Sequence, residues 1–334
     1  MESKKIKWGI LGTGRIAHVF ATALRDTTNS ELYAVGSRSV EKAKEFAMDY
    51  GIPKSYGSYE ELVDDPQVDA IYVATPHHLH LENTLLALNH QKHVLCEKPL
   101  GVNEREVRLV IEKATANKLF LMEALWSRFL PNIMKTKELI ESRAIGDIKL
   151  LTAYFAFKSN LGPAGRHFNK ELCGGTVLDI GIYNIFLSQL LMGKPTSITA
   201  MAGLSDQGID TTCSYTFKYD DETLAVMYSS FLVDSPIVAE IYGTTGKIML
   251  EHRWFAPGKV KLIHTGGSEV IFEFEEKGNG YQYEAEEAAR CILEGKTQSE
   301  MWSLNDSLEL VKTMDTIRKE CGIIYQGHDT SVTQ

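Results

Sequence analysis

The amino-acid sequence predicts an α/β protein, with a doubly wound parallel sheet of Rossmann type at the N-terminus. An α+β domain with a large, mostly antiparallel open sheet follows. From Ile6 short apolar runs alternate with amphipathic helical patterns, which specifies parallel strands covered by helices on both faces. The first run is followed at once by Gly12-Thr13-Gly14-Arg15-Ile16-Ala17, a G-x-G-x-x-A turn. Past Gly146 strand patterns succeed one another without helices between them, the mark of an antiparallel sheet. With 334 residues the chain exceeds the usual single-domain size, so two domains are expected, 1–124 and 125–334.

Composition narrows the function classes. Apolar residues make up 44% of the chain, enough for packed cores. A net charge of -9 leaves no basic patch, which argues against nucleic acid or an anionic membrane as partner. The five cysteines are odd in number and form no C-x-x-C pair, which suits a reducing cytoplasm better than a disulfide framework or a zinc knuckle. The start, Met1 to Ile6, runs straight into a strand without an apolar leader, so no export signal is expected.

In the first domain, strand Ile6–Leu11 delivers the glycine turn to a helix with Ile16, Phe20, Ala21 and Leu24 on one side. Gly12 permits the tight turn, Gly14 lets the backbone approach a pyrophosphate at the helix N-terminus, and Ala17 keeps helix and strand close. Thr13, Arg15 and Ile16 belong to the same cofactor-binding turn. The second strand, Glu31–Gly36, ends in Ser37-Arg38-Ser39, with no carboxylate before Glu41. An NAD enzyme usually carries Asp or Glu there for the ribose 2′-hydroxyl. A hydroxyl and a guanidinium suit a 2′-phosphate, so NADP is expected, with NAD as the alternative should Arg38 only stack on adenine. Ala43, Phe46, Ala47 and Tyr50 mark the next helix.

Strand Asp69–Thr75 ends in Pro76-His77-His78-Leu79-His80. These histidines share one turn with no acidic or thiol ligand at suitable spacing, so no metal is expected. Thr75, Pro76, His77 and His80 are read as lining the nicotinamide side, with at least one histidine structural. Leu81, Leu85 and Leu88 mark a helix leading to His93-Val94-Leu95-Cys96-Glu97-Lys98-Pro99, an apolar strand that ends abruptly in a carboxylate and an ammonium. Ligands in such sheets bind beyond the carboxyl ends of the strands, where Glu97 and Lys98 stand. Asn103-x-x-Glu106 is a capping box, and Val107, Val110, Ile111 and Ala114 face inward behind it. Lys118–Glu123 closes the sheet.

In the second domain a helix around Asn132–Arg143 precedes a long strand from Ile148 to Lys158. Strand patterns recur at 197–203, 211–219, 223–232, 238–243, 247–251, 259–264 and 269–274, and helices about Tyr281–Glu294 and Leu304–Glu320 follow. The open face of such a sheet is where subunits meet, so a homodimer or homotetramer is expected. Asp179 is the only charged residue between Glu171 and Lys194, and a lone carboxylate in an uncharged helix is expensive unless paired or used. Tyr183 lies four residues on, on the same helix face, and Gly174 and Gly175 allow close backbone approach beside it. Asn184, Ser188 and Gln189 interrupt the stretch too much for a membrane span.

G-x-G-x-x-A, Thr75-Pro76-x-x-x-His80, Glu97-Lys98-Pro99 and Gly174-Gly175…Asp179…Tyr183, in this order over essentially the whole chain, resemble the glucose–fructose oxidoreductase/inositol dehydrogenase (Gfo/Idh/MocA) family. Met122 to Phe129 and Leu178 to Tyr183 are most similar to the dimeric dihydrodiol dehydrogenase branch, which also oxidises D-xylose with NADP. Many members have His where this chain has Tyr183, which moves it away from the inositol dehydrogenases. The resemblance implies that Lys98 sits by the nicotinamide and that its bond to Pro99 is cis.

The expected activity is NADP-dependent hydride transfer to or from a carbinol carbon of a small sugar, polyol or trans-dihydrodiol. Lys98, Tyr183 and Asp179 are the expected catalytic residues, with Tyr183 as acid/base, Lys98 as its electrostatic partner, and Lys98 itself as base the alternative. Trp126, Arg128 and Phe129 are expected near the substrate, with Asp179 and Tyr183. Two rivals are an NAD-linked cyclitol dehydrogenase and a catalytically silent cofactor-binding regulator.

Overall fold

The computed structural model of the protein describes residues 4–162, 164–220, 222–275 and 277–329. The leader reading at Met1–Ser3 lies outside the described residues. The chain divides into two compact units, Met1–Phe129 with Glu276–Leu308, and Leu130–Glu275 with Glu309–Gln334.

The first unit alternates strand and helix: β1 (Ile6–Leu11), α1 (Arg15–Leu24), β2 (Ser30–Gly36), α2 (Val40–Tyr50), β3 (Lys54–Tyr56), α3 (Tyr59–Asp64), β4 (Ala70–Val73), α4 (His80–Asn89), β5 (His93–Glu97), α5 (Glu104–Asn117) and β6 (Leu121–Ala124). Its six strands run parallel in the order β3-β2-β1-β4-β5-β6. The order reverses between β1 and β4, which opens a crevice at their carboxyl ends. β4 and β6 are buried along their whole length, as expected of strands covered on both faces. β3 and α3 carry no periodic signal long enough to be read from sequence, because they span only three and six residues.

Two expectations for this unit change. The inward face of α4 is His80, Asn83, Thr84, Ala87 and Leu88, so Leu81 and Leu85 lie off it. Polar groups turn inward there because His80 and Asn83 hydrogen-bond to Thr75. The single boundary near Ala124 is also replaced, since residues 276–308 return to the first unit. They bring a late helix, α8 (Gln282–Leu293), against α1, β1 and β2. The buried side of α8 is rich in small residues, Ala285, Ala288 and Ala289, which lets the helix approach the sheet closely.

The second unit contains α6 (Pro131–Glu141), β7 (Ile148–Ala156), α7 (Ile182–Met192), β8 (Ser197–Leu204), β9 (Asp210–Lys218), β10 (Leu224–Ser230), β11 (Ala239–Gly243), β12 (Gly246–Leu250), β13 (Val260–His264) and β14 (Glu269–Phe272). The last helix, α9 (Leu304–Glu320), begins in the first unit and ends in the second. The eight strands form one sheet in the order β14-β13-β12-β11-β7-β10-β9-β8. Its neighbours pair antiparallel except β7 with β10, which pair parallel. Alternation is clean in β10, where Ala225 and Met227 are buried while Leu224 and Val226 are exposed. A π-helical turn, Val177–Gly181, runs directly into α7. The helical stretch Lys170–Met192 is long and apolar enough to cross a membrane, but most of it is buried within the protein, as in a core helix.

Candidate active site

The crevice at the switch point contains a cavity of about 530 Å³ lined by residues from three loops and from α1, α2 and α3. Gly12, Thr13 and Gly14 form one wall, Ser37, Arg38 and Ser39 another, and Ala74, Thr75 and Pro76 a third. Gly12 adopts φ 106°, and a Cβ there would lie 3.2 Å from the carbonyl oxygen of Ala74. Side chains are thus excluded from the turn for conformational and steric reasons together. Gly14 is the extended N-cap of α1, so the first amides of the helix are unpaired by side chains and open the helix toward this loop. These are the features a dinucleotide pyrophosphate requires, and the residues present fit it.

The ribose end is built by short polar residues. Thr13 Oγ donates to Ser37 Oγ at 3.5 Å, and Ser39 N–H donates to the same oxygen at 3.3 Å. Ser39 also caps α2 by accepting from Lys42 N–H at 3.3 Å, and its hydroxyl donates to Glu41. The carboxylate nearest the tip is thereby held at the start of α2. Arg38 and Lys42 are exposed cations on the cavity wall, and Tyr59 of α3 lines it too. Burial raises the Tyr59 hydroxyl above its ordinary range, and the Arg38 guanidinium beside it opposes the rise. Sequence reasoning missed Lys42, Tyr59 and His18; only the fold brings α2 and α3 to the glycine turn. Arg15 is exposed and Ile16 half-buried in the first turn of α1, outside the residues that line this cavity.

His80, at the start of α4, is fully buried. Its ring nitrogens lie 2.8 Å from Thr75 O and 2.6 Å from Pro99 O, so it ties the turns after β4 and β5 together. Burial lowers its pKa below the ordinary histidine range. Both ring nitrogens thus serve the backbone of the two loops, the structural role expected of at least one of these histidines. His77 and His78 are half-buried on the short 3₁₀ turn before α4. Among the described residues no group of three or more His, Cys, Asp or Glu could hold a metal ion.

Lys98 is half-buried at the end of β5, and its bond to Pro99 is cis. Glu97 is buried; it accepts the Tyr72 hydroxyl and, at 3.3 Å, the Lys98 N–H. Glu123 of β6 accepts Leu100 N–H at 2.9 Å and the Trp302 indole at 3.2 Å. Burial raises the Glu123 carboxyl above its ordinary range, and Lys98 is among the groups that lower it. Trp126, Arg128 and Phe129 are all buried on a 3₁₀ turn. Trp126 stacks on Tyr281 at 4.3 Å, and Arg128 Nε donates to Met301 O at 2.7 Å. Arg128 thereby anchors the returning segment through Met301.

In the second unit the double glycine is required by crowding. A Cβ on Gly174 would lie 2.6 Å from Arg166 O. One on Gly175, at φ 122°, would lie 2.2 Å from Asp210 Oδ1. Asp210 accepts from Thr176 hydroxyl at 2.8 Å and Val177 N–H at 2.7 Å, so it caps the helix that carries Asp179. Burial raises Asp210 to about 6, with these hydrogen bonds opposing.

Asp179 is buried and faces two groups the sequence reading did not place. Arg166 Nη2 lies 3.2 Å and His167 Nε2 3.6 Å from its Oδ2. His167 is oriented by Ser159 Oγ, 2.7 Å from its Nδ1, and by stacking on Phe231 at 4.4 Å. Tyr183 is buried against Phe155 and Phe255, at ring separations of 5.7 and 5.3 Å. An aspartate, a histidine and an arginine thus converge, and a row of rings leads from His167 through Phe157 and Phe155 to Tyr183.

Residues 6–125 match the family described as "Oxidoreductase family, NAD-binding Rossmann fold", and residues 133–249 match "GFO/IDH/MocA C-terminal domain". A trans-1,2-dihydrobenzene-1,2-diol dehydrogenase from Xenopus laevis is 38% identical over 331 residues, covering 96% of this chain and 99% of the relative. The Homo sapiens protein of that name is 33% identical over 332 residues, covering 96% of this chain and 98% of its own. Among solved structures, an aldose-aldose oxidoreductase from Caulobacter crescentus complexed with glycerol has TM-score 0.87 at 23% identity, covering 96% of this chain and 98% of that chain. A 3-ketoreductase from Actinomadura kijaniata in complex with NADP has TM-score 0.86 at 24% identity, covering 95% and 98%. These structures share the fold.

Proposed function

This chain belongs to the Gfo/Idh/MocA family of NAD(P)-dependent dehydrogenases, and from that premise we propose that it is an NADP-preferring enzyme acting on a small vicinal diol. The coarser activity, oxidation or reduction at a CH–OH group of a sugar or diol, goes with the family and the full-length dehydrogenase relatives. The cofactor preference is carried by one observation: Ser37 and Arg38 follow β2 where an acidic residue would favour NAD, and Glu41 is turned to Ser39.

A nicotinamide dinucleotide held in the Gly12–Thr75 cavity supplies hydride acceptance or donation. The chain's own residues bind and orient. Gly12 and Gly14 admit the pyrophosphate, and Thr75 and Pro76 line the nicotinamide side of the cavity. Lys98 offers an ammonium beside the carbinol, Tyr183 takes or returns its proton, and Asp179, aligned by His167 and Arg166, holds a second hydroxyl. The diol reading over a longer polyol draws on the names of the relatives and on Phe155 and Phe255 flanking Tyr183, which suit the apolar face of a small ring.

A homo-oligomer through the sheet of the second unit is part of the proposal. Leu224, Val226 and Met201 lie exposed on one face, where Tyr154 and Tyr228 stack at 4.6 Å. All five cysteines are free, in keeping with a reducing compartment such as the cytoplasm.

The test is a panel of trans-dihydrodiols, aldoses and cyclitols with NADP+ and NAD+, followed by the absorbance of the reduced nicotinamide. Turnover of a diol with NADP+ at the highest kcat/KM is expected. A cyclitol with NAD+ as the best pair would replace the proposal with the inositol-type reading, and tight cofactor binding without turnover would favour a regulator.

A further inference from the structure

The helix that carries Asp179 begins in an unusual way. Cys173 and Gly175 both have positive φ, 54° and 122°, and the π-helical turn Val177–Gly181 follows with Asp179 at its centre. Such turns are rare, and backbone in sparsely populated conformations persists only where its surroundings hold it. A tie reaches this turn from 151 residues further along the chain. Tyr325, fully buried past the end of α9, donates its hydroxyl to Gly174 O at 2.5 Å. Gly175 N–H, on the other edge of the same planar peptide, donates to His167 O at 3.0 Å. Gly175 O in turn accepts Asp179 N–H at 3.4 Å. One short run of backbone thus joins the two residues whose side chains meet at 3.6 Å.

Glycines at 174 and 175 give that peptide little local resistance to rotation, so its orientation depends on the groups bonded to its two edges. Tyr325 is itself clamped. Its N–H donates to Asp329 Oδ2 at 2.8 Å, and Arg318 donates to both oxygens of that carboxylate, at 2.7 and 3.1 Å. The Arg318 guanidinium also lies over the Tyr325 ring at 5.1 Å. We propose that Tyr325 is a positioning residue whose hydroxyl locks the Gly174–Gly175 peptide, and with it the placement of Asp179 against His167. Being fully buried, it acts through the turn. The segment 318–329, silent in the sequence, thereby belongs to the candidate site.

The inference rests on Asp179 holding a substrate hydroxyl, so one arm of the experiment does not use activity. In that arm, amide hydrogen exchange is compared between wild type and Tyr325→Phe, which removes only the hydroxyl. The Gly175 amide should exchange about tenfold faster or more in the variant, with amides of the first unit unchanged. In the second arm, kcat/KM is measured for a vicinal diol and for the mono-alcohol that lacks its second hydroxyl. Tyr325→Phe should lower the diol value by about five- to tenfold, the effect of one lost hydrogen bond, and the mono-alcohol value by no more than about twofold. Cofactor affinity should stay as in wild type. A role in stability alone would scale both substrates together through the active fraction. Equal losses on the two substrates would overturn the proposal, as would wild-type exchange at Gly175. Asp329→Ala removes the carboxylate behind Tyr325 and should shift exchange and diol preference in the same direction. Should Tyr325→Phe fail to fold, wild-type exchange at Gly175 in Asp329→Ala overturns the proposal. If Asp179→Asn keeps the diol preference while exchange behaves as expected, the role given to Asp179 fails and the tie from Tyr325 stands.

Discussion

The cofactor cradle of the first unit and the Asp179 helix of the second are both glycine-built, yet they were not equally legible. In the cradle the glycines serve the backbone. Gly12 needs positive φ and Gly14 opens a helix N-terminus, and both demands arise within a few residues of chain. Around Asp179 the glycines serve distant partners: Gly174 clears the Arg166 carbonyl and Gly175 clears Asp210. A binding site made of main chain can be read from a motif. One made of side chains on separate elements needs the fold.

The largest effect should come from the side-chain site. Tyr183→Phe is expected to lower kcat by about 10²–10⁴-fold with cofactor binding intact, the range for a positioned acid/base. A near-normal kcat would remove tyrosine from that role and leave Lys98 as the base, which Lys98→Met would then abolish.

The Asp210 cap sharpens the comparison through stability. Its folded pKa is raised from 3.8 to about 6, so its contribution is fully present below 3.8 and is lost as pH rises through 6. Relative to Asp210→Asn, wild type should lose up to about 3 kcal/mol of unfolding free energy between about pH 4 and pH 7. Parallel stability curves for the two proteins would show that the carboxyl does not titrate there.

In the cradle, Arg38→Ala should weaken NADP by more than about tenfold, a loss of about 1.5–3 kcal/mol, and NAD far less. Wild-type protein that binds NAD at least as tightly as NADP would break this. The smallest effect is expected at His80, whose pKa is lowered. Its contribution is present above the unfolded value of 6.5 and is lost as pH falls through the folded one, opposite in sense to Asp210. His80→Gln should flatten the acid side of the melting profile; an unchanged profile would remove His80 as its source.

Periodicity and turn chemistry determined much of the molecule from sequence alone. The alternating elements of the first unit, the long antiparallel run of the second, the G-x-G-x-x-A turn and the Lys98 strand end all follow from local steric and burial patterns. Asp179 was singled out because a lone carboxylate in an apolar helix is anomalous wherever it sits. Tertiary structure decided which groups answer it, Arg166 and His167 from a loop, and brought Asp210 from a strand beyond the helix to cap its first turn. It also turned the polar side of α4 inward, placed Arg128 on Met301, and returned α8 to the first unit after the whole second sheet. Backbone conformation is set by neighbouring residues. The partner of a buried charge is set by which distant segment packs against it, and no spacing along the chain records that.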